Sequence, residues 1–208
     1  MGPQIFTLST LKQYAIMGGA GLLFAISAIV FMFQQMWGQA GIALILLPTI
    51  FVPLLLEKWL QFRMPVSLQV QYALLLVLGP YVGGTLGLYI AWPPWDTVVH
   101  FYSGIPISFA IIRALGLVQQ KYRIAVPVWF EIFVLIAAKT FIAFIWEIGE
   151  FSFDLLFDAN TQDDNFDTMT DMIAGITPSL FIASALVMHR RNGRFKYFNS
   201  LLTHWRAI

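Results

Sequence analysis

Apolar residues run along the chain in long blocks, each near the roughly 20 residues a membrane-spanning helix needs, with polar residues between them. Six blocks stand out, at residues 14–33, 41–56, 68–91, 97–118, 126–149 and 169–189. The pattern predicts an all-α polytopic membrane helix bundle with about six transmembrane helices, built as one integral membrane domain over residues 1–208. The second block is the shortest, and Pro48 and Pro53 interrupt it. Prolines persist in a span where neighbouring helices satisfy the carbonyls they free. In the third block Gly79-Pro80 predicts a kink and Gly83-Gly84 a close helix approach. The first block is long enough to span and no A-x-A site follows it, so it does not read as a cleaved signal peptide.

Composition narrows the class. Hydrophobic residues make up 59% of the 208 and charged residues 11%. A soluble domain carries about a quarter charged residues, so a soluble globular enzyme is excluded. The chain has no cysteine, which removes disulfides, zinc–thiolate sites, iron–sulfur clusters and thiol catalysis.

The net charge of +1 conceals an asymmetry. Eleven of the twelve Lys/Arg residues belong to the N-terminus, the second and fourth connections with the flanking Arg113, and the tail; the other is Lys139, within the fifth block. Nine of the eleven Asp/Glu residues fall at the third and fifth connections or the helix ends beside them, Glu57 and Glu131 being the exceptions. Six spans put every basic segment on one face, which the positive-inside rule makes cytoplasmic. Both termini are thus expected inside, with residues 150–167 as an acidic outer loop and residues 190–208 as a basic cytoplasmic tail. That tail is short and juxtamembrane, so anionic lipid is its expected contact and nucleic acid has no support.

Three helix ends reach the acidic boundary, each with a pair of ionisable residues: Asp96 and His100, Glu147 and Glu150, Asp167 and Asp171. Spacings of three or four put both members of a pair on one helix face. Convergence of the three faces gives one pocket of carboxylates and an imidazole, which must take up protons or bind a cation. Carboxylates and a histidine from facing helices are how bundles build metal sites. All six residues are candidate ligands for a divalent metal ion (Zn, Mg, Mn, Ca or Fe), and the absence of thiolates disfavours Cu(I). Glu147, Glu150 and His100 are the candidate catalytic groups. The competing local role is helix capping, for which Asp96 and Asp167 are placed. Asp158-x-Asn160-x-x-Asp163 has calcium-loop spacing without the glycine and terminal glutamate of such a loop. Asp163-Asp164-Asn165-Phe166-Asp167 also reads as the D-D-x-x-D of intramembrane prenyltransferases, but in single copy and without basic residues to clamp a diphosphate. Lys139 stands two turns below Glu147, about 12 Å by helical rise, so its partner is expected on another helix or its head group snorkels.

Trp95-Asp96-Thr97-Val98-Val99-His100-Phe101 with Gly104, Trp146-Glu147-Ile148-Gly149-Glu150, and Asp167-Thr168-x-x-Asp171-Met172 with Gly175 resemble the YjdF-like family of bacterial inner-membrane proteins. They are similar, more distantly, to VanZ-like proteins, in which a D-x-x-x-H-F element precedes an acidic helix. The resemblance covers about residues 91–184. It implies a small multi-pass plasma-membrane protein of an uncharacterised family; VanZ-like members are linked to glycopeptide resistance, but Glu150 stands where their motif favours glutamine. Three functions fit the residues: a metal-dependent enzyme acting on an envelope lipid or lipid-linked substrate, a cation or proton transporter with the acidic cluster as its entry, and a non-catalytic subunit that docks a membrane-protein partner or a second copy. Inward of the cluster only Lys139, Thr140, Ser108, Thr177 and Ser179 are polar, a thin trail for transport.

Overall fold

The computed structural model describes residues 8–60, 62–159, 161–162 and 164–202. They form helices α1 (Leu8–Phe33), α2 (Trp37–Thr49), α3 (Val52–Leu60) and α4 (Val66–Leu76), a π-helical segment (Val77–Thr85), then α5 (Leu88–Ala91), α6 (Trp95–Tyr122), α7 (Val128–Phe157), α8 (Asn165–Asn192) and α9 (Phe198–Leu201). No strand occurs among the described residues. Six helical stretches are long and apolar enough to cross a membrane, the second being α2 and α3 together. The protein is an all-α polytopic bundle. Large apolar side chains such as Leu22, Ile45, Phe141, Phe144 and Phe181 stand exposed along these spans, as expected where lipid is the solvent.

The chain divides into two compact units, residues 1–96 and 97–208. In the first, Met17, Phe24, Leu46, Ile50, Ala73 and Tyr81 form the core, and the Tyr81 hydroxyl shares a 2.6 Å hydrogen bond with Ser27. Pro53 cannot donate to the Thr49 carbonyl, and the helix breaks there between α2 and α3. The Tyr72 hydroxyl from α4 donates to that carbonyl at 2.7 Å, so a neighbouring helix supplies what the proline removed. The Gly79-Pro80 kink takes the form of the π segment. Its loosened carbonyls find donors in the Trp95 indole, 3.0 Å from the Leu78 oxygen, and the Thr85 hydroxyl, 3.1 Å from that of Pro80. Gly87, at φ 78°, then turns the chain back, which only glycine does without strain. The ring of Tyr89 packs on Gly83 so closely that a Cβ there would stand 2.3 Å from it. The close approach expected of Gly83 is thus to an aromatic ring, and the third span ends at Thr85.

The second unit packs by spacing. The residues buried on α7 are Glu131, Leu135, Lys139, Ala143 and Glu147, a strict interval of four. On α6, His100, Gly104, Ser108, Ile112 and Gly116 repeat the interval, as do Asp171, Gly175, Ser179 and Ala183 on α8. Rows at this interval are the ridges that interdigitate when helices cross, and small residues in them let backbones approach. A Cβ at Gly104 would stand 2.5 Å from the Gly175 carbonyl oxygen and 2.8 Å from the Pro178 ring.

At the basic end of this unit, Glu131 is 2% exposed. Arg190 clamps it with two hydrogen bonds, Nε to Oε2 at 2.9 Å and Nη2 to Oε1, and Gln119 Nε2 donates to Oε1 at 3.1 Å. Arg190 therefore belongs to α8 as its terminal clamp. Gly193, at φ 68°, caps α8, and the chain returns to bury Phe198, Leu201 and Leu202 among Ile112, Leu135 and Leu186. Arg113 Nη1 holds the Leu201 carbonyl at 3.1 Å. The segment after residue 190 is thus packed structure at least to Leu202; Arg206 lies outside the described residues.

Replacing Arg190 by Ala strands a buried carboxylate, which typically costs about 3–5 kcal/mol. The thermal unfolding midpoint of the detergent-solubilised protein should fall clearly for Arg190→Ala and hardly move for Arg191→Ala; equal midpoints would show that the clamp contributes nothing.

Candidate functional site

Three elements of the second unit bring the paired residues together. α7 is 30 residues long, about 45 Å by helical rise, so it exceeds the roughly 30 Å hydrocarbon thickness. Glu150 to Phe157, expected as loop, are its last turns, and Asp158 ends it in a left-handed conformation at φ 51°. Asp154 then anchors the returning chain. Its carboxylate accepts from the Thr161 amide at 2.8 Å, the Thr161 hydroxyl at 2.7 Å and the Gln162 amide at 2.9 Å. This turn carries the Gln162 side chain to a hydrogen bond with Glu147. α8 begins at Asp164, whose carboxylate caps it by accepting from the amides of Phe166 and Asp167 at 2.7 and 2.9 Å. Capping is therefore done by Asp164, three residues ahead of Asp167. The calcium-spaced residues Asn160 and Asp163 lie outside the described residues.

The cluster forms where the three helices meet. His100, Glu147 and Asp171 are 7%, 5% and 1% exposed, which settles that they face the protein interior. The His100 Nδ1 lies 3.7 Å from Glu147 Oε1, beyond hydrogen-bond length. Its ring meets the Trp146 indole edge to face, with centroids 6.3 Å apart. Trp146 Nε1 donates to Glu150 Oε1 at 2.7 Å, drawing that carboxylate towards the histidine. One ligand atom each from His100, Glu147 and Glu150 lie within 4.8 Å of one another. That separation fits around one cation: oxygens on opposite sides of a calcium ion at about 2.4 Å stand about 4.8 Å apart.

Alongside, the Asp171 carboxyl is in hydrogen-bond contact with Thr97 and with Asp167. Carboxyl groups in contact hold together across a shared proton or cation. Glu147 Oε1 and Asp171 Oδ1 are buried and meet no hydrogen-bond partner among the described residues. Buried polar atoms are rarely left so, and both belong to this one cluster. Asp96 opens α6 one turn ahead of His100, in its first turn.

Lys139 is 2% exposed. Its Nζ reaches Gly175 on α8, 3.1 Å from where a Cβ would stand, next to the His100 carbonyl oxygen. The ammonium thus lies directly beneath the cluster, and its field acts on His100. Spacing along α7 alone put it out of reach of Glu147; the side chain instead extends across the helix interface into the gap that Gly175 leaves. Thr97 and Gln162 were not singled out from the sequence. Thr97 shares the interval of three with His100 that marks one helix face, whereas nothing in the sequence reveals that Asp154 folds Gln162 back over Glu147.

Spans, connections and a polar cluster inside the bundle together define a multi-span α-helical membrane protein. Over residues 14–192 the chain matches the family described as Predicted membrane protein (DUF2238), and it belongs to that family. The match takes in the first three spans, which the resemblance in the second half left out. The chain is also similar to a Thermotoga maritima protein described as "Uncharacterized protein", at 27% identity over 146 residues, covering 70% of this chain and 74% of that one. No solved structure matches it.

The glycine crossing is the feature that places His100 and Lys139. Gly104→Ala drives a methyl into the Gly175 carbonyl and should destabilise the protein by about 1–3 kcal/mol. Gly149→Ala, where a Cβ meets nothing within 4 Å, should be neutral or stabilising by up to about 1 kcal/mol. Unfolding midpoints of the two variants decide the matter, and a stable Gly104→Ala would refute the tight crossing.

Proposed function

We propose that this chain is a plasma-membrane protein of a bacterium that binds a divalent metal ion through His100, Glu147 and Glu150, and uses it to act on an envelope lipid or lipid-linked substrate. The observation that carries this is the pair of unpartnered buried oxygens, Glu147 Oε1 and Asp171 Oδ1, beside a histidine too distant to hydrogen-bond. A cation answers both oxygens at once, and His100 and Glu150 each bring a ligand atom within 4.8 Å of Glu147. Asp167 and Asp171 are further carboxylates of the same cluster. A bound divalent ion would supply Lewis acidity towards a phosphate or carbonyl and lower the pKa of a ligated water. Glu150, the more exposed of the two glutamates, has its orientation as a ligand fixed by the Trp146 indole. Lys139 supplies a positive charge from below that offsets the carboxylates. The YjdF-like and VanZ-like motifs support the same region as the working part of the chain.

A transport route has less support. Beneath Lys139 the buried cluster of Ile112, Leu135, Ile182 and Leu186 is apolar, and among the described residues Ser108 and Ser179 are the small buried polar residues between Lys139 and the Glu131–Arg190 pair, a thin trail for transport.

Metal analysis of the detergent-purified protein tests the site. After supplementation with each candidate ion in turn, wild type should retain about one equivalent, and Glu147→Gln and His100→Ala should each lose at least 10- to 100-fold in affinity, the scale seen even for residues that only support a metal's ligands. Wild type at background with every ion would sink the proposal.

The orientation, with both termini cytoplasmic and the acidic cluster outward, is a separate claim. Because the chain has no native cysteine, single cysteines report it cleanly. Asp158→Cys should react with an impermeant thiol reagent on intact cells and Asn192→Cys only after lysis; the opposite pattern inverts the topology.

A further inference from the structure

A shallow groove of about 200 Å3 runs between α7 and the α8 side of the outer connection, immediately beside the cluster. Phe144, Ile148 and Phe151 of α7 and Met172 of α8 wall it, and Glu147 and Gln162 line its polar part. The three α7 wall residues recur at intervals of four and three, so they form one stripe about 10 Å long. Phe144, Ile148 and Phe151 are each about half exposed, while Glu147 is buried with an unpartnered oxygen. An apolar channel on a membrane-spanning helix thus leads to a buried carboxylate with one oxygen, Oε1, that meets no hydrogen-bond donor among the described residues.

We infer that this groove seats one acyl chain of a bilayer phospholipid, whose phosphate completes the coordination of the cation held by His100, Glu147 and Glu150. The inference rests on the metal reading above and adds what approaches the metal. Its volume is below the roughly 300–1,000 Å3 of pockets that envelop a whole small molecule, so the groove takes part of an amphiphile. Apolar walls on a lipid-facing helix select hydrocarbon. Three protein donors leave positions open on a divalent ion, and hard cations fill such positions with phosphate oxygens. Glu147 belongs to both groove and cluster, so a chain lying along Phe151, Ile148 and Phe144 brings its lipid's head group to the cation. Gln162, held over Glu147 by the Asp154 turn, offers its amide at the junction.

The test uses the full-length protein in phosphatidylcholine vesicles doped with phosphatidylglycerol that carries a photoreactive diazirine in one acyl chain, with the bound ion present. Cross-links should concentrate on the peptides containing Phe144, Ile148 and Met172. In Met172→Trp and Ile148→Trp, which fill the groove, this labelling should fall about ten-fold, equivalent to about 1.4 kcal/mol. Chelation of the metal should lower it as well. Labelling spread evenly over α1, α7 and α8, as annular lipid gives, overturns the inference, as does labelling unchanged by the tryptophan variants or by chelation. Displacement of the probe by a polyprenyl phosphate at lower concentration than by unlabelled phosphatidylglycerol overturns the choice of a phospholipid. Metal content, measured on the same samples, separates the two failures. One equivalent of metal with dispersed labelling defeats the lipid seat alone, whereas wild type without metal defeats the metal reading itself.

Discussion

An ionisable side chain within a membrane span must find its partner inside the protein. On insertion scales a lone charge at the centre of a span costs about 2.5–3.5 kcal/mol, comparable to a large share of a domain's net stability. α7 carries three such groups on its buried stripe, Glu131, Lys139 and Glu147, each two turns from the next. The packing of the second unit follows from answering them. Arg190 and Gln119 are drawn to Glu131. The glycine at 175 leaves the gap that receives Lys139, and the glycine at 104 lets α6 approach closely enough to put the His100 carbonyl beside it. His100 and Gln162 then meet Glu147. Small residues on α6 and α8 stand opposite a helix whose buried face holds long polar side chains, because the volume of those side chains has to be found somewhere in a close-packed interior.

The two ends of α7 resolve the same problem differently. At Glu131 both oxygens accept hydrogen bonds and a guanidinium balances the charge, so nothing further is needed there. At Glu147 one oxygen has no hydrogen-bond partner, the histidine is beyond bonding distance, and Asp171 nearby has an oxygen in the same condition. A structure that could satisfy one glutamate so fully was not short of donors in principle. Among the described residues, the Glu147 end is the one where two carboxylate oxygens lie buried without a donor.

The spans were legible because each is written locally. Twenty apolar residues declare a helix whatever surrounds them, and the intervals of four and three already put Asp96 with His100, Glu147 with Glu150 and Asp167 with Asp171 on common faces. Features that depend on tertiary partners were not legible. The third span ends at Thr85 because a π turn and Gly87 redirect a sequence that stays apolar to Ala91. The basic tail hides Phe198, Leu201 and Leu202, which are core because they return against Ile112, Leu135 and Leu186, with Arg113 holding the Leu201 carbonyl. Lys139 was expected to look to another helix, but which one was not legible, because helical rise measures along one helix and says nothing of a four-carbon side chain crossing to the gap at Gly175. Capping by Asp164 in place of Asp167 turned on three residues of loop that no periodicity governs.

The first unit sharpens this contrast. Its one buried Asp, Glu, Lys or Arg among those described is Glu57, which accepts from the Met64 amide at 2.6 Å, Gln69 Nε2 at 3.0 Å and Gln13 Nε2 at 3.3 Å, with Arg63 Nη1 3.9 Å away. Like Glu131, it is saturated by glutamine and arginine partners, and it ties three helices at the basic end of its own unit. The carbonyls freed by Pro53 and by the π segment likewise find donors from elsewhere in that unit. The first unit thus meets the membrane's demand for internal satisfaction at its proline and at its π segment with donors of its own, whereas in the second, among the described residues, Glu147 Oε1 and Asp171 Oδ1 are carboxylate oxygens without a hydrogen-bond donor.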